Sequence, residues 1–243
     1  MQNIKEQGKL YGIGVGPGDP ELMPIKAVNI LKSVGVIFCA SSSKNNHSLA
    51  INIAQPYLPP ETPITKLAFP MTMDKEVAQK AWLGHVETII RELRQGKDAA
   101  FLTLGDPLTY STYGYLLQCM QDHAPEISIE TVPGITSFQA AAAATNTTLV
   151  EGEESLLVLS GVQGGDKLRQ MSNQVDNVVF LKAYKNISDI CGALEETGRM
   201  DSSVGVVRCG FPDQGVFQDI RKLCQQEPKY WTLIISKPSH EQS

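Results

Sequence analysis

The 243-residue sequence predicts an α/β protein made of two α/β domains. Three observations carry that reading. Short apolar runs of strand length alternate with stretches whose apolar residues recur at helical spacing. Three of the runs lead directly into loops rich in glycine and proline. The alternation also restarts after DHAPE (122–126), which divides the chain into an N-terminal domain, 1–124, and a C-terminal domain, 125–243. A chain of this length buries roughly 70% of its unfolded surface, so neither a disulfide nor a metal is needed to stabilise it.

In chain order, KLYGIGV is the first expected strand, and PIKAVNILKSV (24–34) is a helix with Ile25, Val28 and Leu31 on one stripe. VGVIFC (34–39) is a second strand, HSLAINIAQPYL a helix broken near Pro56, and TKLAFP a further strand. VAQKAWLGHVETIIRELRQG gives the clearest helix, closed by Gly96. AAFLTLGDP (99–107) repeats the opening pattern, an apolar strand running into glycine, aspartate and proline, and the helix after it contains YGYLLQCM. The second half begins with the strand ISIETV, a glycine turn and an alanine-rich helix, for which Ala140 to Ala144 imply no more than close packing. SLLVLSG, NVVFLKAY, SSVGVVRCG and YWTLIIS are four more strands, with KLRQMSNQ and ISDICGALEE as helices between the first three. The last strands lack a long intervening helix, so the second sheet is expected to be mixed, part of it antiparallel.

Composition is that of an ordinary globular chain, 42% hydrophobic and 19% charged, and a net charge of -5 gives no support to a nucleic-acid groove. The five cysteines form no CxxC pair and are odd in number, which suits a reducing compartment; Cys39, Cys119 and Cys209 sit in apolar runs and read as small core residues. The four histidines show no ligand spacing, so a protein-held metal is not expected. No apolar leader follows Met1 and no apolar run is long enough to span a bilayer, giving a cytoplasmic protein without membrane contact.

GVGPGDP (14–20) is neither a Walker loop, since no GK[ST] follows, nor GxGxxG, since Asp19 stands where the third glycine would be. Gly14, Gly16 and Gly18 allow positive φ or close approach, while Pro17 and Pro20 stiffen the turn. In the second loop Asp106 either meets a ligand or caps its own helix, and in the third, PGITS (133–137), Thr136 or Ser137 either caps the alanine-rich helix or meets a ligand. In α/β sheets ligands collect at the carboxyl ends of strands, so three specialised loops there point to one compound cleft between the halves and to an enzyme binding a small polar cofactor.

The order YGIGVGPGDPELMPIKA, LTLGDPLTYSTYGYL and VPGITSFQAAAA resembles the tetrapyrrole methylase family, over approximately Lys9 to Lys237. Within it, YST after GDP and FLKAY in the second half are similar to the branch that methylates C20 of precorrin-2 or cobalt-factor II. The resemblance implies two α/β domains of that family's type with the cofactor in the cleft between them, a homodimer, S-adenosylmethionine as methyl donor leaving as S-adenosylhomocysteine, and a tetrapyrrole as small-molecule substrate. Carried residue by residue, it places Pro17, Leu104, Gly105, Asp106, Thr109, Thr136 and Ser137 around the cofactor, with Leu181 or Lys182 beside the adenine and Gly210 at a later strand end. Two departures stand out. Pro24 replaces a common threonine before the first helix and is expected at its first position. Tyr110, Ser111, Thr112 and Tyr113 replace the Gly- and Glu-rich run of sirohaem-precursor enzymes, which favours C20 over C2 and C7.

For such a transfer the resemblance implies a nucleophilic meso carbon, so placement matters more than acid–base machinery. Tyr110, Tyr113 and Tyr184 are the candidate catalytic residues that shape the substrate face or orient a water, against simple packing. A macrocycle rich in carboxylates needs local positive charge, for which Lys44 with His47, Lys66, Lys182, Lys185 and Arg208 are candidates near strand ends, each of them otherwise a solvated surface residue. Rival readings are a relative acting on ribosomal RNA or on a modified histidine, a methylase of another tetrapyrrole position, and a non-catalytic S-adenosylmethionine-binding protein.

Overall fold

The computed structural model describes residues 7–42, 48–70, 72, 74–227 and 229–238. Two compact units divide the chain, the first ending at Thr136 and the second beginning at Ser137.

The first unit holds β1 (Leu10–Gly14), α1 (Ile25–Leu31), β2 (Val36–Ser42), α2 (Leu49–Ala54), β3 (Ile64–Phe69), α3 (Lys75–Arg94), β4 (Ala99–Thr103), α4 (Tyr113–His123) and β5 (Ile129–Val132). The strands lie in the order β3-β2-β4-β1-β5 and every pairing is parallel. A parallel sheet must be covered on both faces, and the period of two along each strand supplies both. Leu10, Val36, Phe38, Ala99 and Phe101 meet α3 and α4, while Ile13, Ile37, Cys39, Ala100 and Leu102 meet α1 and α2.

Helix ends follow local chemistry. Asp74 Oδ1 accepts from the N–H groups of Glu76 (3.0 Å) and Val77 (3.3 Å) to start α3. Gly96, at φ +82°, closes it, as the sequence suggests. Pro24 stands one position earlier than expected, at the N-cap of α1, where it contributes no side-chain bond and only its carbonyl accepts, from Val28 N–H at 3.1 Å. The domain boundary also differs from expectation. β5 pairs with β1, Leu10 opposite Ile129, and this carries ISIETV into the first unit, so the division falls after Thr136 rather than after residue 124.

The second unit holds α5 (Ser137–Thr145), β6 (Leu156–Ser160), α6 (Asp166–Met171), β7 (Asn177–Leu181), α7 (Ile187–Glu196), β8 (Ser203–Val207), β9 (Gly215–Phe217), α8 (Ile220–Cys224) and β10 (Thr232–Ser236). Its order is β6-β7-β10-β8-β9. β6 and β7 run parallel, β10 is antiparallel to β7 and β8, and β9 is antiparallel to β8. This is the mixed sheet expected from the short final connections. Ala141 and Ala142 of α5 pack on one face, and α6, α7 and α8 cover the other. β9 and α8, three and five residues long, fall below the length at which periodicity can be read.

Arg199 was not singled out by sequence. Only 4% exposed, it donates to three main-chain carbonyls, of Asp176 (2.6 Å), Ser172 (3.0 Å) and Val175 (2.8 Å), and so fixes the turn between α6 and β7. Cys191 and Cys224 form a disulfide joining α7 to α8, contrary to the expectation of reduced thiols, because the packing of α8 on α7 brings together two residues 33 apart in sequence. Cys39 and Cys209 are buried and Cys119 is half-buried, as expected of core residues.

On the edge strand β5, Glu130 is held by both Lys9 and Lys26. These two ammonium groups bring its carboxyl down to about 2. The folded value lies below the unfolded one, so the stabilisation is fully present above about pH 4.5 and is lost as pH falls toward 2. Replacing Glu130 by Gln is expected to flatten the fall in urea midpoint across that window, with little change near neutrality in the pH dependence. Replacing Cys191 and Cys224 together by Ser is expected to lower stability by about 3–4 kcal/mol in denaturant titration, the effect of releasing a loop of this length in the unfolded chain.

Candidate functional site

In the first sheet β1 and β4 are neighbours whose following helices, α1 and α4, lie on opposite faces. A crevice opens between the carboxyl ends of two such strands. Here the loops after β1, β4 and β5 meet backbone to backbone. Gly16 N–H donates to Gly105 O at 3.3 Å, and Gly105 N–H donates to Gly16 O at 2.8 Å. The two residues sit at φ +79° and +69°, which glycine adopts without strain. A Cβ on Gly134 would lie 2.2 Å from Gly105 O; one on Gly14 would lie 2.5 Å from the same oxygen and 2.7 Å from Gly134 N. The contact therefore exists only because no side chain stands between the three corners.

Asp106 locks the arrangement. Its Oδ1 accepts from Leu108 N–H (2.9 Å) and from the Thr109 hydroxyl (3.1 Å), and its Oδ2 accepts from Gly134 N–H (3.1 Å). Asp106 does not cap α4, whose N-cap is Thr112; its two oxygens bind within the protein and tie the second loop to the third. Asp19 Oδ1 likewise accepts from Glu21 N–H (2.9 Å), capping the 3-10 turn Pro20–Leu22. On the far side of the Asp106 turn, Ser111 Oγ lies 2.7 Å from Thr103 Oγ1 and accepts from Tyr113 N–H at 3.1 Å.

Pro17 is buried, and Leu104, Gly105, Asp106, Thr109 and Thr136 are half-buried on these corners. Ser137 opens α5 of the second unit. Leu181 ends β7, and Lys182, exposed at φ +57°, follows it. Gly210, at φ +80°, donates its N–H to Gln214 Oε1 at 2.8 Å.

The three tyrosines part company. Tyr113 is wholly buried; its ring lies under Gly12, where a Cβ would come within 2.0 Å of Cζ, and its hydroxyl lies 3.0 Å from Thr131 Oγ1. Burial pushes its phenol up, the Thr131 bond opposing. Tyr113 thus follows the packing alternative and does not border the crevice. Tyr110 is 54% exposed at φ +51°, a left-handed conformation that costs an aromatic residue about 1–2 kcal/mol. Tyr184 is half-buried against Tyr230, ring centroids 4.8 Å apart.

Lys66 is exposed on the edge strand β3 and Lys185 is exposed after β7. Lys44 and His47 lie outside the described residues. Arg208 already has a carboxylate, Asp213, 2.6 Å from its Nε, and its guanidinium lies over the rings of Phe211 (4.8 Å) and Trp231 (5.1 Å). Sequence reasoning did not find this aromatic cluster, in which Phe211 and Trp231 stack at 5.4 Å, because its members join through the β8–β10 register rather than through any local spacing. Among the described residues no cluster of three or more His, Cys, Asp or Glu could hold a metal ion, and no helix is long and apolar enough to cross a membrane.

The sequence profile of the tetrapyrrole (corrin/porphyrin) methylases matches residues 9–223. The chain belongs to that family. This tetrapyrrole methylase is 37% identical over 209 residues to a probable cobalt-precorrin-2 C(20)-methyltransferase of Methanocaldococcus jannaschii, the match covering 86% of each chain. It is 30% identical over 232 residues to a cobalt-precorrin-2 C(20)-methyltransferase of Salmonella typhimurium, covering 95% of this chain and 97% of the relative. Its fold matches that of a uroporphyrin-III C-methyl transferase from Thermus thermophilus solved with S-adenosyl homocysteine, with a TM-score of 0.64 and 21% identity, covering 94% of this chain and 97% of the other.

The glycine contact yields a paired prediction. Gly134→Ala is expected to destabilise the first unit by at least about 3 kcal/mol, since a carbon overlapping a carbonyl forces the loops apart. Gly84→Ala, in the middle of α3 with nothing within 4 Å of the new carbon, is expected to stabilise by about 0.5–1 kcal/mol. Thermal melts of the two variants check both signs.

Proposed function

We propose that this tetrapyrrole methylase transfers the methyl group of S-adenosylmethionine to C20 of cobalt-precorrin-2, a step of cobalamin biosynthesis. The observation that carries the reading is the end-to-end similarity to two C(20)-methyltransferases, within which the three glycine corners are present in this chain and brought into contact. The relative from Sinorhizobium, a precorrin-2 C(20)-methyltransferase 28% identical over 237 residues, makes the metal-free ring the natural second substrate to assay.

The residues of the first unit fit the cofactor. A Cβ at Gly105 would meet nothing nearer than Ile135 O at 3.9 Å, so the chain leaves room for a ligand against its backbone at the very point where the loops join. We assign Pro17, Leu104, Gly105, Thr109 and Thr136 to direct contact with the cofactor and Asp106 to holding the contact surface in shape. On the second unit, Ser137, Leu181, Lys182 and Gly210 are proposed as further cofactor residues. The cofactor supplies a methyl group made electrophilic by its sulfonium. What the chain must do is orient the acceptor carbon and exclude water. Tyr110 and Tyr184 are proposed to border the substrate or order the water that receives the C20 proton, and Lys66, Lys182 and Lys185 to meet its carboxylates. A homodimer, which rests on the family, and a cytoplasmic location, which rests on the sequence composition, complete the proposal; the disulfide between Cys191 and Cys224 is at odds with a reducing compartment.

The test is a paired assay with cobalt-precorrin-2 and precorrin-2 and a donor labelled at the methyl carbon. NMR is expected to place the label at C20, with release of S-adenosylhomocysteine. Label at C2 or C7 would move the enzyme to another step, and cofactor binding without transfer to either ring would make it a non-catalytic binder. Size-exclusion chromatography with light scattering tests the dimer.

A further inference from the structure

We propose that Leu108 and Tyr110 form an apolar bearing surface for one face of the tetrapyrrole ring, with Asp106 holding that surface rigid from behind. The inference rests on the tetrapyrrole substrate proposed above and adds the residues that recognise the ring as distinct from its carboxylates.

The loop between β4 and α4 is pinned at both ends. Asp106 takes the N–H of Leu108 and the hydroxyl of Thr109, and reaches Gly134 on the neighbouring corner. Ser111 ties the other end to Thr103 and to the first N–H of α4. Between these pins Pro107 points into the protein, yet Leu108 is 61% exposed and Tyr110 is 54% exposed. A single exposed apolar residue on a mobile loop needs no explanation. Here two stand on one clamped turn next to the glycine corners, and one of them holds a left-handed backbone, at φ +51°, that glycine or asparagine would adopt more readily. Strain of this kind is maintained where a side chain must be presented in a set direction.

The chemistry of the turn suits a flat conjugated ring with an anionic rim. Leucine and the tyrosine face offer apolar contact and no charge. Asp106 is the one acid from Leu104 to Thr112, and N–H and O–H donors of the protein hold both of its oxygens and partly offset its charge. The conjugated face can then lie on the turn while lysines elsewhere take the rim.

The experiment compares wild type, the double variant Leu108→Ser/Tyr110→Ser and the single variant Tyr110→Gly. KM and kcat are measured for cobalt-precorrin-2, S-adenosylhomocysteine affinity by calorimetry, and thermal stability for each protein. The double variant is expected to raise KM at least about ten-fold with a smaller change in kcat, while cofactor affinity stays within about two-fold. Tyr110→Gly is expected to raise KM while keeping or raising the melting temperature, a divergence that a packing role would not produce. If wild type turns the ring over and the double variant keeps its KM, or loses cofactor affinity in equal measure, the bearing surface is overturned and the methylase reading stands. A wild type that neither binds nor methylates the ring overturns both.

Discussion

The site depends on the absence of two carbon atoms. Adjacent strands in a sheet run about 4.8 Å apart, and β4, β1 and β5 are adjacent, so loops leaving their carboxyl ends at the same level must either splay or touch. They touch because Gly14 and Gly134 carry no Cβ, and the carbonyl of Gly105 occupies the space those two carbons would need. Once the backbones are in contact, the Gly16–Gly105 bridge and the Asp106–Gly134 hydrogen bond follow as short local bonds. Each satisfies main-chain groups that would otherwise be left without partners at the end of a buried sheet.

Behind this contact the sheet is arranged so that the crevice has somewhere to open. α1 and α2 pack on one face of the first sheet and α3 and α4 on the other, so the helices that follow the neighbouring strands β1 and β4 leave to opposite sides. Gly12 shows how closely the layers are fitted. A strand glycine usually weakens a sheet, but here the ring of Tyr113 lies where its side chain would be, with the hydroxyl bonded to Thr131 on β5. The same tyrosine is the first residue of α4, so the helix that follows the Asp106 turn is anchored to β1 and β5. A rigid turn on a rigid helix start is the mechanical condition for presenting exposed groups in a fixed direction.

The second unit meets its constraints differently. Arg199 is buried and donates to three carbonyls, and burial draws its guanidinium below the ordinary value. Arg208 and Trp231, both left-handed, join Phe211 in a cluster whose ring faces hold the Arg208 guanidinium. None of these residues stands within a recognisable local pattern, and their association comes from the antiparallel pairing of β8 with β10.

Most of the strands and helices were legible in the sequence because such signals are local: the short apolar run of β2, the helical spacing of α3 up to Gly96, and the glycine corners were all readable in short windows. So was the mixed character of the second sheet, from the lengths of its connections. Pairing partners were not. ISIETV reads as a strand wherever it goes, and only its place beside β1 put it in the first unit. Asp106 offered two roles of equal standing, and Tyr113 three residues after Tyr110 offered the same chemistry. The fold separated them by burying one ring under Gly12, leaving the other outside, and engaging one carboxylate oxygen within its own loop and the other on the third. The sequence by itself determined which residue types stand at the strand ends. Which of them are exposed and which are held within the protein was decided by tertiary structure, because exposure and hydrogen-bond partners are properties of segments far apart in the chain.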